Sequence, residues 1–368
     1  MAVFIKCAGG ATGVAPFGFS QVWVKTAAGA QCVYRPFSWY EHLVAFPSLS
    51  VARGTLAGAA DANGNVLFAG GAASSGAPAE RYTPDGVRVS LSSLSTERGS
   101  LAAAADADGN VLFAGGMTNT GQLVASVDMY SPDGVRTTLA ALGTSSGERD
   151  GLAGAATSGG AIFAGGSHYS TYCAEAYRYA NGVRKALGNL SVARSLLAAA
   201  TDGSGNAYFG GGETASGTFS SAVDRYTPAG VRTTLSPLLT AAGELAAARA
   251  GENVVFAGGE KKSGYSAAVQ WYTPAGVRAS LADLSPARSQ LAGATNGAGV
   301  ALFTGGRAAS GRGNWAEGYK SDGTKIAYTG LAYARNQHKA VAAGNGAVLI
   351  AGGYVEGSRN VYVEAFTK

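Results

Sequence analysis

A pair of adjacent glycines returns along the chain at nearly constant spacing, and this repeat limits the possible folds more than any other feature. The second glycine of each pair follows the one before it by 45, 50, 46, 47, 47 and 47 residues. A short apolar run precedes the pairs, such as Val66, Leu67 and Phe68. A fixed period of this length indicates a repeat architecture in which each copy is one supersecondary unit. The second glycines are Gly71, Gly116, Gly166, Gly212, Gly259, Gly306 and Gly353.

Two further motifs keep a fixed place within the copies. One is a turn sequence, Tyr-Thr-Pro-Asp-Gly-Val-Arg, which begins at Tyr82 and returns with changes at Tyr130, Tyr179, Tyr226, Tyr272 and Tyr319. The other is an arginine three residues before an apolar residue, as Arg53 stands before Leu56. The arginines are Arg53, Arg98, Arg149, Arg194, Arg288 and Arg335, and the fifth copy has Ala242 at this place.

Each copy predicts four short strands. The first is a run of small apolar residues, which suits a crowded axis where several sheets converge. A tight turn, Asn-Gly in the first copy, leads to a continuous apolar strand of the kind that is buried on both faces. The third strand ends at the tyrosine, a Pro-Asp-Gly or Pro-Ala-Gly turn follows, and the fourth strand carries β-branched residues. No segment has the period of a helix.

Four strands in a unit of about 47 residues are typical of a propeller blade. We therefore expect an all-β fold, a seven-bladed β-propeller with four antiparallel strands per blade, closed by an N-terminal strand. The expected domains are an N-terminal segment, residues 1–48, and seven blades at about 49–93, 94–141, 142–189, 190–237, 238–283, 284–330 and 331–368.

The repeat resembles that of the Kelch family. The likeness rests on the glycine pair after the second strand, the tyrosine of the third strand and the arginine in the link between blades, and it covers about 320 residues. The Kelch tryptophan of the fourth strand is absent, and Thr or Ser and Leu stand in its region. The resemblance thus implies Kelch-like blades whose contacts with one another differ from those of the family.

The seventh copy stops after its third strand, so the ring needs a fourth strand from elsewhere. Residues 21–25 and 31–35 flank an Ala-Ala-Gly sequence and are expected to form a hairpin. We expect residues 31–35 to complete the last blade, because an unpaired edge between the first and last blades would leave backbone groups unsatisfied. The alternative is an eight-bladed ring, since residues 7–10, CAGG, imitate the glycine-pair motif.

Residues 22–27, VWVKTA, resemble a short module of tailed-phage virion proteins, especially those of phages that infect gut bacteria. Proteins with that module often carry Kelch-like repeats with a similar link between blades. The first ten residues lack a basic leader and an apolar stretch, so no secretory signal is expected. These features imply a protein made in the host cytoplasm and placed in a virion tail or appendage. The alternative is a cytoplasmic cellular protein.

Composition excludes several other classes of protein. Glycine supplies 56 of the 368 residues but without a three-residue period, which excludes collagen, and the net charge of only +5 argues against disorder. No run of about 18 apolar residues exists and the basic residues form no cluster, so neither membrane insertion nor nucleic-acid binding is expected. Three cysteines, Cys7, Cys32 and Cys173, argue against a disulfide framework in a chain this long.

The loops after the glycine pairs are the best candidates for binding. In a propeller they share one face with the links between blades, and here they differ from copy to copy, whereas the turns of the other face are nearly the same in every copy. Variable loops on a rigid scaffold are where binding is usually placed, and aromatic rings and arginine are favoured anchors. For any one residue, drift without function is the alternative. The candidates are His168, Tyr169, Tyr172, Phe219, Lys261, Lys262, Tyr265, Arg307, Arg312, Trp315 and Tyr354.

The six recurring arginines have two interpretations. A ring of like charges around an axis could attract an anion. The favoured interpretation is structural, because a guanidinium has several donors that can tie a blade link to neighbouring carbonyls.

Enzymatic chemistry has little support in the sequence. The histidines His42, His168 and His338 lie in unrelated repeat positions without metal-ligand spacing, so we expect neither a metal nor another cofactor. Tyr172 and Cys173 share only composition with the site of the copper-radical oxidases, whose propeller resembles Kelch. The turn that begins at Ser131 is one residue shorter than the Asp box of sialidases, and no carboxylate pair can be assigned as acid and base.

We therefore expect a non-catalytic propeller that serves as a structural or host-recognition protein of a phage tail or virion. Its partners would be other virion proteins, or a host surface protein or glycan, and it could form an oligomer. One alternative is a cellular Kelch-type propeller that binds proteins or carbohydrates. Another is a glycan-acting enzyme that uses an acidic loop residue such as Glu213 or Glu260.

Overall fold

Each repeat copy forms one four-stranded antiparallel sheet, and the seven sheets stand in a ring. The computed structural model describes residues 42–72, 76–143 and 147–367, together with the backbone of four short strands in the first 41 residues. The predicted all-β, seven-bladed propeller is confirmed, and seven blades replace the alternative of eight. Among the described residues there is no helix, and so none of a length and polarity that would cross a membrane.

We number the blades 1 to 7 in chain order, and the strands of each blade from the axis outward. The strands are Ala57–Ala60, Val66–Ala69, Ala79–Tyr82 and Arg88–Leu91 in blade 1; Ala102–Ala105, Val111–Ala114, Val127–Tyr130 and Arg136–Leu139 in blade 2; Ala153–Thr157, Gly160–Ala164, Ala176–Ala180 and Val183–Ala186 in blade 3; Ala198–Thr201, Ala207–Gly210, Val223–Tyr226 and Arg232–Thr234 in blade 4; Ala246–Ala250, Asn253–Ala257, Val269–Tyr272 and Arg278–Ser280 in blade 5; Ala292–Thr295, Ala301–Thr304, Ala316–Tyr319 and Lys325–Ala327 in blade 6; and Lys339–Ala342, Val348–Ala351, Val363–Thr367 and His42–Phe46 in blade 7.

The second strand of a blade consists almost entirely of apolar residues, and other blades cover both of its faces. In blade 1, Phe68 belongs to the hydrophobic core shared with blade 7, whereas Leu67 belongs to the core shared with blade 2. The described residues form seven such cores, one between each pair of adjacent blades. Neighbouring blades therefore complete each other's interior, as expected for units that cannot bury both faces alone.

Leucine takes the region of the missing fourth-strand tryptophan. Leu91 of blade 1 lies under Gly134, in the turn between the third and fourth strands of blade 2, where a Cβ would come within 2.8 Å of it. The Tyr130 hydroxyl of blade 2 donates to Ser92 O, just past the same strand of blade 1, at 2.7 Å. Leucine packing and a tyrosine hydrogen bond thus fasten blades 2 to 6 to the blade before them, whereas in blade 1 Phe46 takes the place of the leucine.

The innermost strands surround the axis and consist mostly of alanine and glycine, with exceptions such as Arg249 and Lys339. Each contacts the innermost strands of its two neighbours, and the circle closes where Lys339–Ala342 meets Ala57–Ala60. Small residues permit this approach, because a Cβ at Gly154 would lie only 3.0 Å from the Ala103 carbonyl oxygen of the preceding blade.

Ring closure uses an N-terminal strand, but not the one that the sequence analysis selects. His42–Phe46 pairs antiparallel with Val363–Thr367, with Phe46 opposite Val363 and His42 opposite Thr367. The prediction that residues 31–35 fill this place is wrong. Gly29–Cys32 instead pairs with Trp23–Thr26, which confirms the predicted hairpin, and residues 33–35 lie outside the described residues.

The length of the blade link explains why His42–Phe46 closes the ring. Phe46 ends the closing strand seven residues before Arg53, as Leu91 ends its strand seven residues before Arg98. Phe46 also packs against the core between blades 7 and 1. A closing strand at residues 31–35 would have required a link more than twice as long as that between blades 1 and 2.

The chain divides into two compact units, Met1–Glu41 and His42–Lys368, so the boundary falls a few residues before the expected residue 48. In the first unit Val3–Lys6 pairs with Thr12–Ala15, and this pair and the hairpin named above are separate two-stranded sheets. The CAGG sequence that suggested an eighth blade, with Cys7, lies outside the described residues.

The two faces of the ring differ in construction. The turn face carries the tight turns from first to second and from third to fourth strand. The hairpin face carries the blade links and the connections from second to third strand, which in blades 3 to 7 form short two-stranded hairpins. These are Ser167–His168 with Thr171–Tyr172, Glu213–Ala215 with Thr218–Phe219, Glu260–Lys261 with Gly264–Tyr265, Arg307–Ala308 with Gly311–Arg312, and Tyr354–Val355 with Ser358–Arg359.

Candidate binding face

A closed circle of backbone hydrogen bonds surrounds the axis on the hairpin face. In each link, the residue two positions after the recurring arginine donates its N–H to the carbonyl oxygen of its counterpart in the preceding blade, at 2.8–3.1 Å. All seven have positive φ, between 51° and 62°, although only one is glycine. We call this circle the collar. Its members are Thr55, Ser100, Gly151, Leu196, Glu244, Gln290 and Gln337.

The glycine pairs let the backbone pass beside the collar. Gly71 has φ of 100°, which favours glycine, and a Cβ there would lie 2.8 Å from the Gly54 carbonyl oxygen. Gly70 has φ of 65°, and its Cβ would lie 2.6 Å from the Arg98 carbonyl oxygen of the next link. The same approach of a link carbonyl occurs at Gly116, Gly166, Gly212, Gly259, Gly306 and Gly353.

The recurring arginines lie inside the blades rather than on the axis. Arg98 has a fully buried side chain, and it donates to the carbonyl oxygens of Gly115 at 2.7 Å and Thr96 at 2.8 Å. It also forms an ion pair with Asp128 of the third strand at 3.0 Å. Asp128 in turn accepts hydrogen bonds from the Ser95 backbone and hydroxyl. One buried pair therefore ties a link to the third strand of the blade that follows it.

The carboxylate occupies a repeat position that the sequence analysis missed. It stands two residues before the motif tyrosine, or Phe366 in blade 7, but its type varies. The carboxylates at this place are Glu80, Asp128, Asp224, Glu317 and Glu364. The fixed offset was the signal that could have revealed them.

Blades 3 and 5 show how the buried pair is replaced. Blade 5 lacks the arginine, and there the acid is replaced by Gln270, whose amide oxygen accepts the Leu239 backbone N–H at 2.8 Å. Blade 3 has Tyr177 in place of the acid, and Arg149 forms its ion pair at 3.1 Å with Glu175, just before the third strand, while its guanidinium carbon lies 5.8 Å from the centre of the Tyr177 ring. Blade 5 therefore removes both charges, whereas blade 3 keeps the arginine and pairs it with a carboxylate from another position.

The environments of Asp128 and Asp224 stabilise the charged form of these two buried acids. Burial by itself would raise the pKa of Asp128, but Arg98 and the hydrogen bonds of Ser95 and Thr138 outweigh it, so the pKa lies below its ordinary value. The pKa of Asp224 is lowered in the same way, against burial, by Arg194 and the Ser191 backbone. These carboxylates are structural.

The hairpins reach from their own blade over the link of the next. Phe219 of blade 4 lies over Gly243, where a Cβ would come within 3.0 Å of the ring. Tyr354 of blade 7 lies over Gly54, where a Cβ would come within 2.2 Å of the ring. Arg312 of blade 6 donates through Nε to Asn336 Oδ1 of blade 7 at 2.7 Å. These three candidates therefore lie over the links of the blades that follow their own, at separate places around the ring.

The candidates of blade 3 lie at a protruding tip. Tyr169 is 66% exposed with φ of 52°, and its ring centre is 5.0 Å from that of His168. Tyr172 lies beside Glu213 of blade 4, and burial together with that carboxylate raises the pKa of the phenol.

The remaining candidates occupy blades 5 and 6. Lys261 and Tyr265 are half-buried in the blade 5 hairpin, and Lys262 is exposed in its turn. Arg307 is exposed and pairs with Arg312 across the blade 6 hairpin. Trp315 lies outside the hairpin and is packed, because a Cβ at Gly313 would overlap its ring and the Arg288 guanidinium carbon is 5.6 Å from the ring centre.

A polar network that the sequence analysis missed runs along part of the collar. Gln290 donates through Nε2 to the Glu244 carboxylate at 2.9 and 3.0 Å, and it accepts from Asn336. Burial raises the pKa of Glu244, and the carboxylates of Glu260 and Glu213 raise it further. Glu213 and Glu260 begin the hairpins of blades 4 and 5, so three carboxyl groups of adjacent elements share this part of the face.

The turn face has two shallow depressions, of about 580 and 340 Å³. Their lining combines small turn residues such as Gly344 with polar residues, among them Arg249 and Asn296 in the smaller and Asp61 and Asn63 in the larger. Because the turns of this face are nearly the same in every copy, the variable hairpin face remains the better candidate site.

The described residues hold no group of three histidine, cysteine, aspartate or glutamate side chains that could bind a metal ion. His338 is buried and hydrogen-bonded to Thr304, and burial raises the pKa of the free thiol Cys173. The side chains of His42 and Cys32 lie outside the described residues, as does Cys7.

Comparison with known proteins shows the fold. No family model and no curated protein matches the chain. The solved structure of YjhT is 18% identical with a TM-score of 0.59, over 76% of this chain and 99% of that one. A fungal alcohol oxidase of the AA5 family, in complex with copper, is 14% identical with a TM-score of 0.63, over 89% of this chain and 76% of that one. The chain is thus similar to both in its β-propeller fold.

Proposed function

We propose that this chain is a non-catalytic recognition propeller of Kelch-like type, whose hairpin face binds a glycan or protein of a host cell surface. In this proposal it is a component of a phage tail or related virion appendage, held to other virion proteins. The competing assignment within the same class is a cellular propeller that binds proteins or carbohydrates.

The hairpin face carries the proposal. Five hairpins project from the same positions of blades 3 to 7, each begins with a backbone bridge to its own blade link, and their side chains differ. A fixed frame with variable tips is a construction used for recognition. The tips offer an exposed aromatic ring at Tyr169 and exposed charges at Lys262 and Arg307. The virion assignment is supported by the resemblance of residues 22–27 to a module of phage proteins.

Binding and location are tested separately. The purified full chain is applied to candidate host cells and to an array of bacterial surface polysaccharides. A variant with His168→Ala and Tyr169→Ala is expected to bind more weakly, whereas Val135→Ala on the turn face, where Val135 is 63% exposed, is the control. Absence of binding to every cell and glycan would contradict recognition. Absence of the chain from purified virions, measured by mass spectrometry, would contradict the virion assignment.

Copper chemistry is not part of the proposal. The alcohol oxidase that resembles this chain in fold is in complex with copper, but here Tyr172 lies beside Glu213 and Cys173 is buried. The described residues do not gather three side chains of metal-binding type near this pair.

A glycan-acting enzyme is the second candidate, and Glu244 is the observation that favours it. Its pKa is raised by burial and by Glu260 and Glu213, as for a carboxyl group that donates a proton. Turnover of a bacterial polysaccharide that is lost in Glu244→Gln but kept in Glu252→Gln, on the turn face, would establish this function in place of the first.

A further inference from the structure

Two exposed tyrosines stack face to face on the hairpin face of blade 7. Tyr333 lies in the link from blade 6, and Tyr362 stands just before the third strand of blade 7. Their ring centres are 4.0 Å apart and their planes differ by 6°. The two residues are nevertheless 40% and 38% exposed, whereas the Phe–Tyr pairs inside the blades are buried and meet edge to face. We call Tyr333 and Tyr362 the tyrosine pair.

A rigid frame holds both rings. The buried guanidinium of Arg335 donates to the Tyr362 carbonyl oxygen at 3.1 Å and forms an ion pair with Glu364. The Glu364 carboxylate accepts the backbone N–H of Ala332 at 2.8 Å, next to Tyr333. The same buried ion pair therefore fixes the backbone on either side of the tyrosine pair, and a ligand would find the rings already in place.

The propeller itself does not need these rings. The positions of Tyr333 and Tyr362 are two residues before the link arginine and one residue before the third strand. The same positions hold Val51 and Pro78 in blade 1, Thr96 and Ser126 in blade 2, Gly147 and Glu175 in blade 3, Val192 and Ala222 in blade 4, Thr240 and Ala268 in blade 5, and Pro286 and Trp315 in blade 6. Blades 1 to 5 fold in the same way without an aromatic ring at either position, so the exposed rings of blade 7 are not explained by the repeat.

A third ring, that of Trp315, follows a segment that is hydrogen-bonded to the link carrying Tyr333. The link that carries Tyr333 runs beside the segment before Trp315, since Leu331 donates to the Asn314 carbonyl oxygen at 2.7 Å and Arg335 to that of Gly313 at 3.1 Å. Trp315 is half-buried. Blades 6 and 7 thus carry three large rings on neighbouring strips of backbone.

We propose that the tyrosine pair, with Trp315 beside it, is a carbohydrate-binding site that stacks a pyranose ring. A pyranose has one apolar C–H face that fits a flat aromatic surface and hydroxyl groups at its rim. The two phenol groups offer both parts, an apolar body and a polar tip that exchanges hydrogen bonds. The site is open and shallow, which suits a sugar at the end or side of a long polysaccharide. This inference rests on the proposed recognition function and names its ligand class and place.

The test uses the full chain, an array of bacterial surface polysaccharides, and saturation-transfer NMR with the methyl glycosides of glucose, galactose, mannose and N-acetylglucosamine. The variants are Tyr333→Thr and Tyr362→Ala, the residues that blade 5 has at these positions, so the fold is kept. Each is expected to lower the affinity for the bound saccharide about tenfold or more. Tyr362→Phe is expected to retain most of the binding because it keeps the stacked face.

The control is Leu239→Ala, a 58% exposed apolar residue on the link of blade 5. Its saccharide affinity should equal that of the natural chain. If Tyr333→Thr and Tyr362→Ala bind the saccharide as tightly as the natural chain does, the proposed site is overturned while the recognition function stands. The same conclusion would follow if treatment of the cells with protease, and not removal of their glycans, destroyed the binding. A chain that binds neither saccharides nor cells would overturn both proposals.

Discussion

At the scale of single residues, six of the seven blades bury the charged guanidinium of the recurring arginine, which costs free energy of desolvation. Such a charge is tolerated because a carboxylate and several carbonyl oxygens surround it. In blade 4, Asp224 accepts hydrogen bonds from Ser191, Arg194, Arg232 and Thr234 together. Blade 5 shows that the same backbone also forms when both charges are absent.

The first prediction gives blade 4 the uncharged residues that blade 5 has in place of the buried ion pair. Arg194→Ala leaves Asp224 buried and short of its main partner, so we expect the free energy of unfolding to fall by about 3–5 kcal/mol. Arg194→Ala combined with Asp224→Gln copies Ala242 and Gln270 of blade 5, and most of that loss should be recovered. Urea unfolding of the two variants gives the comparison. A double variant no more stable than the single one would contradict this account of the pair.

The second prediction concerns His338, which occupies the place that leucine has in the other six blades. Burial, with Arg335 and Lys339, lowers the pKa of His338 to about 3. The unfolded chain takes up a proton near pH 6.5 and the folded chain does not, so stability should fall as pH drops from 6.5 towards 3, by about 1.4 kcal/mol per pH unit.

The variant with His338→Leu and Thr304→Ala removes this titration. Other blades have leucine at the first position and alanine or glycine at the second. The melting temperature of the variant should stay nearly constant between pH 6.5 and pH 4.5, where the natural chain loses stability. Parallel curves for the two proteins would show that another group is responsible.

At the scale of elements, the ring depends on one strand that does not belong to the repeat. His42–Phe46 covers the edge of Val363–Thr367, and without it that edge would be open to pairing with another molecule. The rest of the N-terminal segment forms its own compact unit.

The third prediction compares two truncations. Removal of residues 1–41 keeps the closing strand and should leave the melting temperature of the propeller unchanged. Removal of residues 1–46 deletes that strand and should lower the melting temperature by about 10 °C or more. Light scattering should also show self-association of the second truncation alone. Equal melting temperatures would mean that the closing strand contributes little.

The elements differ in how far the sequence predicts them. Glycine pairs and turn motifs have fixed spacing and fixed backbone demands, so seven blades of four strands follow from them. The closing strand has no such motif, and only the seven-residue distance from Phe46 to Arg53 marks it. Likewise the partner of Arg98 changes type from blade to blade, and the tyrosine pair joins residues of two elements that no repeated motif connects.

At the scale of the whole molecule, each of the seven hydrophobic cores formed by the described residues is shared by two blades. Loss of one blade would therefore expose two cores. A ring also differs from an open repeat array, because it has no terminal copy from which unfolding can begin.

The fourth prediction is that the propeller unfolds in one cooperative step. Residues 42–368 should give a single thermal transition, with the same midpoint by tryptophan fluorescence and by far-ultraviolet circular dichroism, and a calorimetric enthalpy equal to the van't Hoff enthalpy. Two separated transitions would indicate that groups of blades are stable on their own.

The collar places seven side-chain positions around the axis on the hairpin face, and these positions can vary. Its seven hydrogen bonds use main-chain atoms only, so they do not depend on which side chains the collar carries, although Gln290 also links to Glu244 and Asn336 through its side chain. One half already presents Thr55, Ser100 and Gly151, and the other presents Glu244, Gln290 and Gln337. A new specificity can accordingly arise by replacing these groups one at a time, with the scaffold intact at every intermediate step of diversification.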